Sequence, residues 1–266
     1  MNFPANVFEG AGTRFGRSSA GCRRGLVGGL SYLNGLDREA YEFEVAARLS
    51  TRLFTSFDGQ LRFPMTRSDL PVRARVGVRA TDFRGLRFFG LGADTRSRDR
   101  TTCQLQERAF DVGVEGELGQ MAFSVDGGFL RAEAAEGLFG ISLEELFDPS
   151  QVPGFGEATD FFHLRTNVEV DLRDEGSPGA GIVLRGELGR YNDLDLDRFD
   201  FTRVAGEVQG HVPLGPRSRM LAMRLRVSRS TPGDGFQVPF FLMETLGGGA
   251  PFEGFASTGS EIPTRC

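Results

Sequence analysis

From Tyr41 the chain reads YEFEVAARL, and its apolar and polar positions alternate. Tyr41, Phe43, Val45, Ala47 and Leu49 share one face; Glu42, Glu44, Ala46 and Arg48 share the other. Side chains of an extended backbone point to opposite sides with a period of two, so the pattern predicts a strand. The device recurs down the chain. PVRARVGVRA sets Val72, Ala74, Val76, Val78 and Ala80 against Arg73, Arg75, Gly77 and Arg79. NVEVDLRD sets Val168, Val170 and Leu172 against Asn167, Glu169, Asp171 and Arg173. RVAGEVQGHV opposes Val204, Val208 and Val212 to Arg203, Glu207 and His211, and MLAMRLRVS opposes Leu221, Met223, Leu225 and Val227 to Arg224 and Arg226. Charges line one side throughout, more sharply than a half-buried sheet requires.

The pattern places strands near 24–32, 39–49, 52–63, 71–83, 103–118, 121–134, 160–173, 179–191, 198–213 and 217–231. Several exceed the roughly 5–6 residues of a globular strand and match the roughly 9–11 that cross a bilayer at a tilt. Gly119-Gln120, Arg173 to Gly179 and Leu214-Gly215-Pro216 are short connections, whereas 84–102, 135–159 and 192–197 are longer. Outer-membrane barrels have short periplasmic turns and longer external loops, and the alternation fits that rule.

In hydrocarbon every backbone N–H and C=O must be paired within the protein, so only helices or a closed sheet span a bilayer. A closed sheet keeps a wet lumen, which lets Glu and Arg face inward while Val, Leu, Phe and Ala face lipid. The expected fold class is therefore all-β, an antiparallel transmembrane β-barrel. The competing architecture is a soluble antiparallel sandwich, because alternation does not say whether the apolar face meets lipid or a second sheet.

Composition sharpens the picture. Glycine (37) and phenylalanine (25) are abundant, Trp is absent, and glycine eases strand bending. A net charge of −5 with both signs dispersed gives no basic footprint, so nucleic acid is excluded as a partner and no polybasic anchor is present. Cys22, Cys103 and Cys266 are odd in number, far apart and without C-x-x-C spacing; they read as free thiols, with one pair possible. No apolar run approaches the roughly 18 residues of a spanning helix, and the first thirty residues lack the apolar core of a signal peptide.

Little in the sequence argues for an enzyme or a cofactor. Asp193, Asp195 and Asp197 alternate within YNDLDLDRFDF, but Arg198 and Val204 stand where a calcium loop needs Gly and Glu, so a solvated external loop is the reading. GLGADT at 90–95 lacks the third glycine of a dinucleotide fingerprint. His163 and His211 sit in unrelated strands and read as lumen-facing or rim residues. Carboxylates such as Glu42 and Glu44 are ordinary for a wet lumen. In GISLEELFDPSQVPGFG, Ser142 and Glu145 form a capping box before a short helix that Pro149 ends, able to rest on the barrel mouth or fold into it. The inward charges expected of the lumen are Glu42, Glu44, Arg73, Arg75, Arg79, Glu169, Asp171, Arg224 and Arg226.

FFGLGADT, the DLRD strand, VPL at 212–214, LAMRLRVS and VPFFLMETLGG together resemble the BamA/TamA-like bacterial surface-antigen superfamily of outer-membrane barrels, over roughly residues 24 to 249. The most specific part is Val238-Pro239-Phe240-Phe241 followed by Leu246-Gly247-Gly248, which in that family leads into an external loop bearing an (L/V)-R-G-(F/Y) motif. The loop folds back into the lumen, where its Arg meets a wall carboxylate. The resemblance implies a sixteen-stranded barrel that inserts or exports other outer-membrane proteins, with POTRA domains ahead of it. Outer-membrane lipid, nascent outer-membrane proteins and assembly-complex subunits are its implied partners, and the bacterial outer membrane its location.

The chain departs from that pattern. Gly254 and Phe255 hold the Gly and aromatic positions of the loop motif, but Glu253 stands where Arg belongs. No POTRA domain or signal peptide is read. About ten or eleven strands of sixteen are expected, so the barrel reads as incomplete, with 1–23 an irregular N-terminal segment, 24–249 the partial barrel and 250–266 an off-pattern tail. One GC-rich back-translation of GAPFEGFASTGSEIPTRC, read from the preceding third base, gives RRPLRGLREYRFRDPNAL and restores an Arg-Gly. A frame slip near codon 248 would explain the tail, and the genomic DNA there tests it. Three functions follow: an assembly or translocation barrel, a passive pore for small solutes, or a soluble β-sandwich binding module.

Overall fold

The computed structural model describes residues 12–16, 27–35, 41–50, 54–65, 72–92, 99–174, 180–215 and 219–244, with side chains from Tyr41 onward. Eleven strands form one antiparallel sheet in chain order: β1 (Gly12–Gly16), β2 (Val27–Gly35), β3 (Glu42–Ser50), β4 (Thr55–Pro64), β5 (Val72–Phe88), β6 (Thr101–Leu118), β7 (Met121–Glu136), β8 (Ala158–Asp171), β9 (Gly181–Asp193), β10 (Phe201–Pro213) and β11 (Met220–Pro232). Ten of these lie where alternation places them. Among the described residues β1 pairs only with β2 and β11 only with β10, so the sheet is not closed.

Period two sets the two faces. On the outer face Phe57, Val78, Phe110, Val112, Phe129, Leu164, Leu188, Val204 and Leu225 are exposed, the last at 67%. On the inner face Ser56, Gln60, Arg75, Glu107, Asp111, Asp126, His163 and Glu207 are buried. That distribution inverts the soluble rule of apolar inside and polar outside. The sandwich alternative fails on it: all strands join one sheet, and among the described residues no second sheet covers the apolar face.

The longer connections gather at one rim, joining β5 to β6, β7 to β8 and β9 to β10, and there the inner face carries a hydrophobic cap. The β7–β8 connection turns inward. Its helix α1 (Leu143–Leu146) follows Ser142, whose N–H donates to the Glu145 carboxylate at 2.9 Å, and Leu143 is fully buried. The helix folds against the sheet rather than resting above it. It stops at Leu146, before the expected Pro149, which instead opens a 3-10 turn over Pro149–Gln151 because a proline at a first helical position loses no hydrogen bond. There Asp148 accepts from the Ser150 hydroxyl and N–H, which hold its carboxyl below the ordinary carboxylate range.

Two boundaries differ from expectation. β1 lies inside the segment expected to be irregular; five residues, two of them glycine, carry too little alternation to register. β5 runs on to Phe88, through a register shift between Phe83 and Leu86 that breaks the period of two. The 250–266 tail lies outside the described residues.

Candidate functional site

The inner wall of β3 to β11 holds a continuous set of charge pairs below the cap. Most follow from register, since residues directly opposite in an antiparallel pair point to the same face. Glu42 faces Arg62 across β3 and β4 at 3.4 Å and is 3.9 Å from Arg73. Arg62 also reaches Glu115 at 3.3 Å. Thr81 donates to Glu107 at 3.2 Å, and Arg79 lies within electrostatic reach of Glu107 and Asp111. Glu207, 5% exposed, collects Arg185 at 3.0 Å, Arg224 at 2.5 Å and Arg226 at 3.7 Å, while Arg185 also holds Glu169 at 2.5 Å.

Two of the pairs that skip a strand cross over a glycine, and glycine is the reason they exist. Arg75, Gly113 and Asp126 form one row across β5, β6 and β7, and the Arg75 guanidinium bonds the Asp126 carboxylate over the empty Gly113 position. A methyl group on Gly113 would collide with that carboxylate and sit 2.7 Å from the Val125 carbonyl. Asp111, Gly128 and His163 form the second row, across β6, β7 and β8, where Nε2 of His163 and the Asp111 carboxylate share a 2.6 Å hydrogen bond. A Cβ on Gly128 would lie 2.8 Å from that same Asp111 oxygen. Arg165 adds a 3.3 Å contact to Asp111, and the His163 ring stacks on Tyr191, which stacks on Phe201 at 4.6 Å. All four partners, Arg75, Asp126, Asp111 and His163, are at most 3% exposed.

Above this wall the segment after β11 folds inward. Val238, Phe240, Phe241 and Leu242 are buried, with Phe240–Leu242 in a 3-10 turn. Phe240 packs edge-on to Phe88 at 5.3 Å and lies near Phe155 at 6.4 Å. Polar contacts fix its far end: Arg203 donates to the Leu242 carbonyl and pairs with Glu244 at 3.1 Å, and the Ser228 hydroxyl donates to Glu244 at 2.6 Å.

Of the sequence-level candidates, Glu42, Arg73, Arg75, Arg79, Glu169, Arg224 and Arg226 take part in this wall. Glu44 shares their face but is exposed, and Asp171 pairs with Arg173 at the short turn at 2.5 Å. Val238 to Phe241 form the inward segment; Leu246, Gly247, Gly248, Gly254 and Phe255 lie outside the described residues. Sequence reading passed over Glu107, Asp111, Asp126, Arg185 and Glu207 as partners. Their signal is the alternation of ERAFDVGVE, which puts Glu107, Ala109, Asp111 and Gly113 on the face opposite Phe110 and Val112. The Asp193 carboxylate accepts from the N–H groups of Asp195, Leu196, Arg198 and Phe199 and so shapes its own loop. Among the described residues no three His, Cys, Asp or Glu side chains are grouped to hold a metal.

Charges inside and an aliphatic and aromatic band outside, on one antiparallel meander, define the class: a barrel-type sheet, unclosed here. Among the described residues no helix is long and apolar enough to cross a membrane, which says nothing of strands. Among solved structures the chain is similar to BamA from Haemophilus ducreyi lacking POTRA domains 1–3, with a TM-score of 0.56 and 14% identity. The match covers 85% of this chain and 42% of that one. At that identity the likeness establishes the fold alone. No protein-family model matches the chain. No curated protein sequence matches it either.

Proposed function

We propose that the chain is part of an outer-membrane barrel that inserts or translocates other outer-membrane proteins, working with lipid and with nascent barrels or assembly subunits. The observation that carries the reading is the uncovered apolar outer face, on a sheet that follows the course of BamA. From Phe162 in β8 to Leu172, the residue after its end, the outward positions span about 33 Å of extended chain, or about 25 Å of height at a tilt of about 40°, the height of a barrel's apolar band. Insertion requires that the open edges of β1 and β11 be paired, since each unsatisfied backbone group in hydrocarbon costs several kcal/mol.

The Val238–Leu242 segment and the β7–β8 connection fill the inner side at the long-loop rim with buried aromatic groups, which favours an assembly role over a passive solute pore. Deleting the gene in its host is expected to lower the amount of heat-modifiable barrels in the outer membrane. Unchanged barrel levels, together with a stable open conductance of the purified protein in planar bilayers, would overturn the assembly reading in favour of the pore. Recovery in the aqueous phase without detergent would overturn both.

A further inference from the structure

In one row of the outer face, among the described residues, like charges stand side by side. Arg108 of β6 lies directly across from Arg131 of β7, which lies directly across from Asp160 of β8. Like charges opposite each other in a sheet repel. Asp160 neutralises one of them, at 2.8 Å from Arg131. Arg108 is exposed, its other cross-strand neighbour is Ala80, and among the described residues it has no ion-pair partner. In the adjoining row Asp82 is held by Arg84 at 2.8 Å and Gln104 at 2.8 Å, while Glu133, among the described residues, forms no ion pair with either arginine.

The row stands where the apolar band stops. One step toward the short turns the outward positions are Phe110 and Phe129, exposed at 45% and 55%, with Phe162 packed edge-on to Phe129 at 5.6 Å. Arg108, Phe110, Phe129, Arg131 and Leu194 border a surface groove of about 440 Å³ in the outer wall.

 Guanidinium groups immediately above aromatic rings, at the edge of an apolar band, are what a lipid presents a match for: acyl chain below, phosphate above.

We infer that Arg108 and Arg131 form an outer-wall site for the phosphate of an anionic lipid headgroup, whose acyl chain lies along Phe110 and Phe129. The inference rests on the membrane reading above. Arginine suits the role because its planar fork donates two parallel hydrogen bonds to phosphate oxygens. A phosphate between the two arginines also removes the repulsion across β6 and β7.

The test uses the full chain in dodecyl maltoside micelles, with native mass spectrometry reading bound phosphatidylglycerol. Retention is expected for the unaltered protein, with a loss of about tenfold in R108Q/R131Q and little change in R229Q, since Arg229 is an outward arginine opposite Val204 rather than another arginine. Diacylglycerol, which lacks the phosphate, is expected not to be retained, and inorganic phosphate at equal concentration not to compete. Equal retention by R108Q/R131Q, with the β-rich circular dichroism intact, would overturn the site and leave the membrane reading standing. Competition by inorganic phosphate would overturn the lipid as occupant. A chain that stays soluble without detergent would overturn the membrane reading, and the site with it.

Discussion

The Arg75–Asp126 pair shows how one residue with no side chain governs two that have charges. Both partners are buried, and they meet because Gly113 leaves its place on the inner wall empty. Removing one partner takes the nearest counter-charge from a buried ion, which costs about 3–5 kcal/mol, whereas replacing both with apolar groups of similar volume is close to neutral. D126N and R75M are therefore each expected to lower the unfolding free energy in micelles by about that amount, and R75M/D126L by far less. Urea titration followed by circular dichroism measures all three; additive losses in the double variant would count against the pair. G113A is expected to be as damaging as D126N although it removes no charge, because its methyl group displaces the carboxylate.

At the scale of elements, the strands were legible in the sequence and their partners were not. A period of two marks where a strand lies, which holds for β2 to β11, and which side is apolar, which holds for β3 to β11. Ion pairs that skip a strand depend on which three residues share a row, which is a property of register rather than of any one strand. The inward segment after β11 was legible only as a motif: VPFFL has no period, and its burial comes from tertiary contact with Phe88 and Phe155. Phe240 is 7% exposed and central to that contact. F240A is expected to cost about 3–5 kcal/mol and to open residues 233–244 to limited proteolysis, since a large aromatic side chain leaves a cavity when truncated. Proteolysis unchanged from the parent would show that Arg203 and Glu244 hold the segment without the aromatic contact.

For the molecule as a whole, everything turns on which solvent meets which face, and β11 is where this is most cleanly read. Its outward residues Leu221, Met223, Leu225 and Val227 are exposed, and so are Ala222, Arg224, Arg226 and Ser228 on the inner side or partly so, which lets a spin label be placed at each without disturbing a core. With Cys22, Cys103 and Cys266 replaced by alanine, nitroxides at 221 to 228 in lipid vesicles are expected to alternate. Oxygen, which concentrates in hydrocarbon, should relax the odd positions most strongly, and a water-soluble nickel chelate the even ones, the two profiles running out of phase with a period of two. A sheet packed on another protein layer gives a different result: odd positions protected from both reagents. A sheet in water gives a third, with the nickel chelate reaching both faces. Only the out-of-phase profile is compatible with lipid against the Val and Leu side, because no soluble packing makes a position accessible to oxygen while excluding the chelate over four successive outward residues.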